Sequence, residues 1–279
     1  MAEPRAPQRS ETREIAELRR LRSEQPELES AVDLQIELLQ LHRRVQSRIR
    51  LPSIRLDSDY LNGLLANGPV LQFEHLPIDF GDLRFLLRAV ASAMRSQEAL
   101  DEGDFRRADE LCRDPARLPP AARAWYEAPR QAGAPGGAEI EGLEAVFQQA
   151  MRPFLLRAAE ALMAKMDLST WGRGNCPLCA GEPDFAVITA AAERLLICSR
   201  CAARWHFHQI ACPFCLNADR SRITSFASRD RLYRIYGCDV CQRYLKAFDA
   251  RHATRPVLPA VDSVATLPLD AAAMQKGYK

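Results

Sequence analysis

The sequence predicts an α+β protein, with an all-helical N-terminal domain followed by two tandem metal-binding units of the rubredoxin-like or zinc-ribbon kind. Two observations carry this expectation. Apolar residues recur at helical spacing through much of the chain before Asp167. Four Cys-x-x-Cys pairs then follow in close succession, as Cys176/Cys179, Cys198/Cys201, Cys212/Cys215 and Cys238/Cys241, and take eight of the nine cysteines.

The helical half reads as follows. Residues 1–25 form a loose, partly helical leader. Pro26 suits the first turn of a helix, and Leu34, Leu38, Leu41, Val45 and Ile49 mark one face of a helix over Glu27–Arg50, ended by Pro52. A connecting stretch follows, punctuated by Gly63, Gly68, Pro69 and Pro77. Asp79 or Asp82 caps the next helix, whose apolar face is Leu83, Leu86, Leu87, Val90 and Met94. A shorter helix covers Asp104–Arg113. Pro119-Pro120 and residues 131–138 read as an interruption. Helical spacing resumes over Glu139–Met166, with a kink or break expected at Pro153.

Beyond Trp171 the chain turns strand-like, over Phe185–Thr189, Arg194–Ile197, Arg204–Ile210 and Arg231–Tyr236. The expected domains are 26–170 (helical), 171–210 and 211–254 (the two metal units) and 255–279 (a tail running back over the body). An internal repeat supports two units rather than one irregular site. Each opens on Cys-Pro-x-Cys (Cys176-Pro177-Leu178-Cys179 and Cys212-Pro213-Phe214-Cys215) and closes on a second pair.

A Cys-x-x-Cys turn offers two sulfurs, and two turns complete a tetrahedral set for zinc or iron. The intervals between the pairs are unequal: those from Cys179 to Cys198 and from Cys215 to Cys238 are long, and that from Cys201 to Cys212 is short. The longer intervals suit a hairpin; four turns can combine in three ways, and the internal repeat favours 176/179 with 198/201 and 212/215 with 238/241. All eight cysteines are thus the expected ligands of two tetrathiolate ions. Four sulfurs leave no open position for water, which argues against hydrolytic catalysis. Thiol–disulfide redox usually needs one pair in a βαβ setting, a poor fit here. His206 and His208 share a strand face but are not needed as ligands. Trp205 reads as a packing residue and Cys112 as an inert thiol.

Composition bounds the partners. At 47% hydrophobic and 27% charged, the chain has the make-up of a soluble globular protein. No apolar run would span a membrane, and residues 1–24 are polar and mixed in charge with no apolar core of an export signal, so a cytoplasmic location without membrane insertion is expected. Residues 171–255 hold 13 Lys/Arg against 7 Asp/Glu. Two dianionic metal–thiolate centres would cut that excess of six to two. Nucleic acid is therefore not expected as a partner.

Several segments resemble the formate dehydrogenase accessory protein family, FdhE. They are Leu168-Ser169-Thr170-Trp171 with Gly174-Asn175-Cys176-Pro177-Leu178-Cys179, the run Arg194–Cys201, Trp205-His206-Phe207, Cys238–Lys246 and Val264–Asp270. The resemblance runs from about residue 165 onward and is looser before, where Phe73-Glu74-His75-Leu76-Pro77 matches best. It implies a non-catalytic cytoplasmic maturation factor that binds the catalytic subunit of a membrane-associated formate dehydrogenase. It also implies two rubredoxin-like sites on the eight cysteines, with iron a candidate. Ala180 and Leu216 depart from the family pattern, which has glycine after those turns. Tyr244 and Lys246 are candidate partner contacts, and a homo-oligomer is compatible with the sequence. Two other classes fit the residues less well. One is a nucleic-acid-binding zinc ribbon using Arg220, Arg222, Arg229, Arg231 and Arg234 with Phe226 and Tyr233. The other is a rubredoxin-like electron carrier.

Overall fold

A computed structural model describes residues 12–128 and 140–279. The first eleven residues of the expected leader and the expected interruption at 131–138 lie outside the described residues. Among the described residues, seven α-helices come first: α1 (Arg13–Glu24), α2 (Glu29–Gln46), α3 (Ser58–Asn67), α4 (Phe80–Ser96), α5 (Glu102–Arg113), α6 (Leu118–Glu127) and α7 (Glu144–Met163). Strands β1 (Pro183–Ile188), β2 (Arg194–Cys198), β3 (Arg204–Phe207), β4 (Ile223–Ala227), β5 (Tyr233–Cys238) and β6 (Arg243–Asp249) follow, then helices α8 (Pro259–Ala265) and α9 (Leu267–Gln275).

Local chemistry sets the helix starts. Asp57, Asp79 and Asp101 cap α3, α4 and α5, each accepting first-turn backbone N–H groups. Of the two candidates for α4, Asp79 is the cap, taking the N–H groups of Gly81 and Asp82. Two expectations are corrected. The connecting stretch contains α3, a helix too short for its three leucines, of which Leu61 and Leu65 are buried, to announce it. Pro119 and Pro120 sit in the first turn of α6, where a missing N–H costs nothing.

Helix α7 is the central one, with Val146, Phe147, Ala150, Met151, Phe154, Leu155, Ala158 and Leu162 all buried. It runs unbroken through Pro153. Proline cannot donate to the carbonyl four residues earlier, Gln149. His42 of α2 supplies the missing donor, its Nε2 lying 2.8 Å from that oxygen. Burial, and then the nearby Arg152, lower His42 from the ordinary 6.5 to about 4, so the ring is neutral and Nε2 carries its proton.

The six strands form one sheet in the order β3-β2-β1-β6-β5-β4. Each cysteine unit contributes three antiparallel strands, and β1 joins β6 in parallel, pairing Phe185 with Lys246 and Val187 with Phe248. The sheet is covered on both faces. Ala186, Leu196, Leu245 and Ala247 join the core of the helical half. Phe185, Val187, Ile197, Tyr233 and Phe248 pack under Val257 and Leu269. Strands β4 and β6 were not foreseen; Arg231–Tyr236 becomes β5, beginning at Tyr233.

The segment after β6 is held by buried charge. Asp262 is fully buried, accepting from the Tyr233 hydroxyl at 2.7 Å, the Arg255 guanidinium at 2.5 Å and the Leu258 N–H at 2.6 Å. Within the stretch read as a leader, α1 buries Ile15, Leu18 and Leu21. Leu18 and Leu21 form a cluster with Val32 of α2 and Val261 and Val264 of α8.

Replacing His42 by leucine is expected to cost about 1–3 kcal/mol, the penalty of an orphaned buried carbonyl. In a Pro153→Ala background, where residue 153 regains its N–H, the same replacement should cost markedly less; chemical denaturation of the four proteins measures the coupling. The depressed histidine also has a pH signature. The unfolded chain takes up the proton first, so stability from this residue is full above about pH 6.5 and is lost as pH falls toward about 4. His42→Leu should flatten that slope.

Candidate metal centres

The eight paired cysteines converge as two groups, Cys176/Cys179/Cys198/Cys201 and Cys212/Cys215/Cys238/Cys241, and each group could hold a metal ion. In the first, Sγ separations are 3.5 Å (176–201), 3.4 Å (179–198) and 3.7 Å (179–201). In the second they are 3.7 Å (212–241) and 3.6 Å (215–238). A disulfide would need about 2.0 Å. Four sulfurs around an ion with bonds of about 2.3 Å stand about 3.8 Å apart. The donor set therefore fits a tetrahedral thiolate ion.

All four turns share one backbone design. The residue after each second cysteine is left-handed: Ala180 at φ 64°, Ala202 at 55°, Leu216 at 61° and Gln242 at 56°. Its N–H closes onto the carbonyl of the first cysteine, at 3.1, 3.1, 2.9 and 2.8 Å respectively. The reversal lets amides point at sulfur, as Leu178 N–H does to Cys176 and Arg200 N–H to Cys198, both at 3.4 Å. Ala180 and Leu216 thus occupy strained turns, each costing about 1–2 kcal/mol relative to glycine. Ala202 and Gln242 bear the same strain and escaped notice, although they follow the pairs at the same offset.

No family model matches the chain. It is 33% identical over 107 residues to the FdhE homolog of Shewanella oneidensis, covering 37% of this chain and 35% of that protein. To FdhE of Escherichia coli K12 it is 30% identical over 110 residues, 38% of this chain and again 35% of the relative. The matches thus span about a third of the length of these relatives. In structure it superposes on the crystal structure of FdhE from Pseudomonas aeruginosa with a TM-score of 0.63 at 21% identity, over 96% of this chain and 92% of the other. The chain thus resembles FdhE proteins in sequence over about a third of its length and shares the fold of one of them.

Within this FdhE fold the two centres differ sharply in their surroundings. The first is sealed: its four cysteines are at most 1% exposed. The helical half grips both of its turns. Val70 and Leu71 donate N–H groups to the carbonyls of Pro177 and Leu178, at 3.0 and 2.9 Å. Arg152 donates to the Ser199 carbonyl at 2.8 Å. Arg200 stacks 4.0 Å over Trp125 and donates to the carbonyls of Trp125 and Tyr126, both at 3.0 Å, closing the end of α6. Arg200 also brings positive charge to a site that would hold a net dianion.

The second centre faces outward. Cys215 is exposed and Cys241 half-buried, and the turn residues Leu216 and Val240 are 62% and 53% exposed. Burial pushes the Cys212 thiol up to about 12, so without metal this sulfur is protonated at neutral pH. The supports of this centre come from the adjoining ends of β1 and β6 and from the C-terminal residues. Arg243 forms a two-pronged pair with Glu182, at 2.8 and 2.6 Å, and lies 3.7 Å over Phe214. The Tyr278 hydroxyl donates to Asp239 at 2.6 Å. Two glycines make these approaches feasible. A Cβ at Gly237 would meet the Tyr278 ring at 2.5 Å, and one at Gly174 would strike the Pro213 carbonyl at 1.9 Å. The second contact packs the loop before the first centre against a turn of the second.

Other candidates resolve as follows. His206 and His208 are exposed and belong to neither sulfur group. Trp205 is 1% exposed and donates to the Arg173 carbonyl at 3.1 Å. Cys112 is buried, and burial pushes its thiol up. Tyr244 and Lys246, considered as partner contacts, both turn inward to Asp270, at 2.7 Å each. Sequence reasoning missed Arg152, Arg200 and Tyr278, whose roles need the tertiary contact.

Asymmetric burial predicts asymmetric exchange. A chelator should strip one equivalent of metal rapidly and the other slowly. Cys215→Ser should abolish the fast equivalent and keep the slow one, whereas Cys176→Ser should unfold the metal-binding half; metal analysis with stopped-flow chelation distinguishes these. Leu216→Gly relieves strain without losing packing. After the added chain entropy of glycine, it should slow the fast phase about fivefold, corresponding to about 1 kcal/mol.

Proposed function

We propose that the chain is a non-catalytic accessory factor for a formate dehydrogenase, binding its catalytic subunit in the cytoplasm during maturation. The eight paired cysteines hold two tetrathiolate ions, iron or zinc, which keep the metal-binding half folded. The observation that carries this reading is the pair of closed four-sulfur sites on an FdhE fold. Saturated coordination offers no position for substrate or water, so the centres serve structure or recognition rather than hydrolysis. A structural ion of this type contributes on the order of 10–16 kcal/mol to folding, enough to make these small units conditional on it. Among the described residues, no helix is long and apolar enough to cross a membrane.

The nucleic-acid alternative loses much of its surface. Tyr233 is buried with its hydroxyl on Asp262, Arg234 pairs with Asp249 at 3.0 Å, and Phe226 packs with Ala273 and Tyr278. Stacking on a strand of bases would require those rings to be free.

Affinity capture of the tagged chain from formate-grown cells tests the proposal. Enrichment of a formate dehydrogenase catalytic subunit is expected, and its loss on paired replacement of Cys176 and Cys179 by serine. Capture that ignores this subunit would refute the reading.

A further inference from the structure

One edge of the sheet is left open. Among the described residues, strand β4 has only β5 beside it. Asp239 N–H donates to the Arg222 carbonyl and Ser228 N–H to the Tyr233 carbonyl, both at 2.9 Å. These two bonds set the phase of the ladder. Thr224 and Phe226 face β5 with their backbone groups, and Ile223, Ser225 and Ala227 face outward. The Ile223 N–H turns back onto the Arg220 carbonyl. The Ile223 carbonyl and both backbone groups of Ser225 and Ala227 have no partner among the described residues.

Edge strands normally carry a guard against pairing, such as a proline, a bulge or a charge within the strand. Strand β4 reads Ile-Thr-Ser-Phe-Ala and keeps an unbroken register with β5. Its inner face is braced, since Phe226 packs with Ile235, Ala273 and Tyr278. The ends of the strand are basic. Arg220, Arg222, Arg229 and Arg231 are all exposed. The neighbouring acids are already engaged: Asp219 accepts from the Ser221 N–H and hydroxyl, and Asp230 from the Leu232 N–H and Ser228 hydroxyl. Arg220, Arg229 and Arg231 have no carboxylate partner among the described residues.

We infer that β4 is a docking edge that receives an extended acidic segment of a protein partner as a seventh strand. Backbone pairing to Ser225 and Ala227 supplies the binding, and carboxylates at the two ends of the segment meet the arginines and set its register. This inference stands independently of the formate dehydrogenase assignment.

The test uses the full-length metal-loaded chain and a nine-residue blocked peptide with a valine–threonine centre and two acidic residues at each end. A lysine-ended peptide is the control. The acidic probe should slow amide exchange at Ser225 and Ala227 and bind at least tenfold tighter than the control. Ser225→Pro removes one outward N–H and no bond to β5, and should abolish protection at Ala227. Should that variant fail to keep two metal equivalents, Arg220→Glu with Arg229→Glu gives the second reading, an affinity loss of at least tenfold. Absence of binding, equal binding of both peptides, or unchanged binding by the folded variants would overturn the inference. So would protection that grows with protein concentration alone, which assigns the edge to a second copy. Displacement of the probe by a 15-nucleotide oligothymidine, lost steeply with salt, would assign the arginines to phosphate instead. Because the probe is synthetic, its failure leaves subunit capture untouched, and failed capture leaves the edge standing.

Discussion

Four sulfurs brought within 4.8 Å of one another in a buried interior set the constraint on which this fold turns. As free thiolates they could not share that space, because burial and mutual repulsion both oppose the charge. As thiols they would supply weak donors to a costly cavity. A divalent ion would resolve the conflict, and the protein is prepared for one by four strained turns and an arginine at each centre. Each turn accepts a left-handed non-glycine residue, a strain that persists only where the surroundings over-determine it.

The helical half then acts less as a separate domain than as a clamp. Its contacts to the first centre are largely main-chain: Val70 and Leu71 hold one turn by their amides, and Arg152 and Arg200 tie the other through carbonyls. Such contacts fix the position of the turns and tolerate variation in the side chains between the cysteines. The second centre lacks this clamp and depends on Arg243, Glu182 and Tyr278 instead. Closeness of Gly174 to Pro213 packs the loop before the first centre directly against a turn of the second.

Much of the candidate site was legible in the sequence. Cysteine spacing identified two groups of four, because a Cys-x-x-Cys turn is local and a short hairpin returns its end to its start. Helical stripes identified α2, α4 and α7, whose buried faces are broad. Less was legible where the determining contact is distant. Pro153 reads as a helix breaker until His42, far back in the chain on α2, is seen to satisfy the carbonyl that it orphans. Strand β4 has too little apolar alternation to stand out, and β6 pairs with two neighbours at once, so neither advertises one face. Tyr244 and Lys246 looked available until α9 placed Asp270 over them.

Local spacing alone thus determines the four cysteine turns and the helical character of the first half, since each rests on contacts within one turn or one helix, whereas the choice among three pairings of the turns is made by the fold. Long-range packing was needed to show that the two units fuse into one sheet through β1 and β6, that one centre is sealed and the other open, and that β4 is left as a free edge. Those outcomes depend on which surfaces meet across the chain, and burial is a property of the meeting rather than of either surface alone.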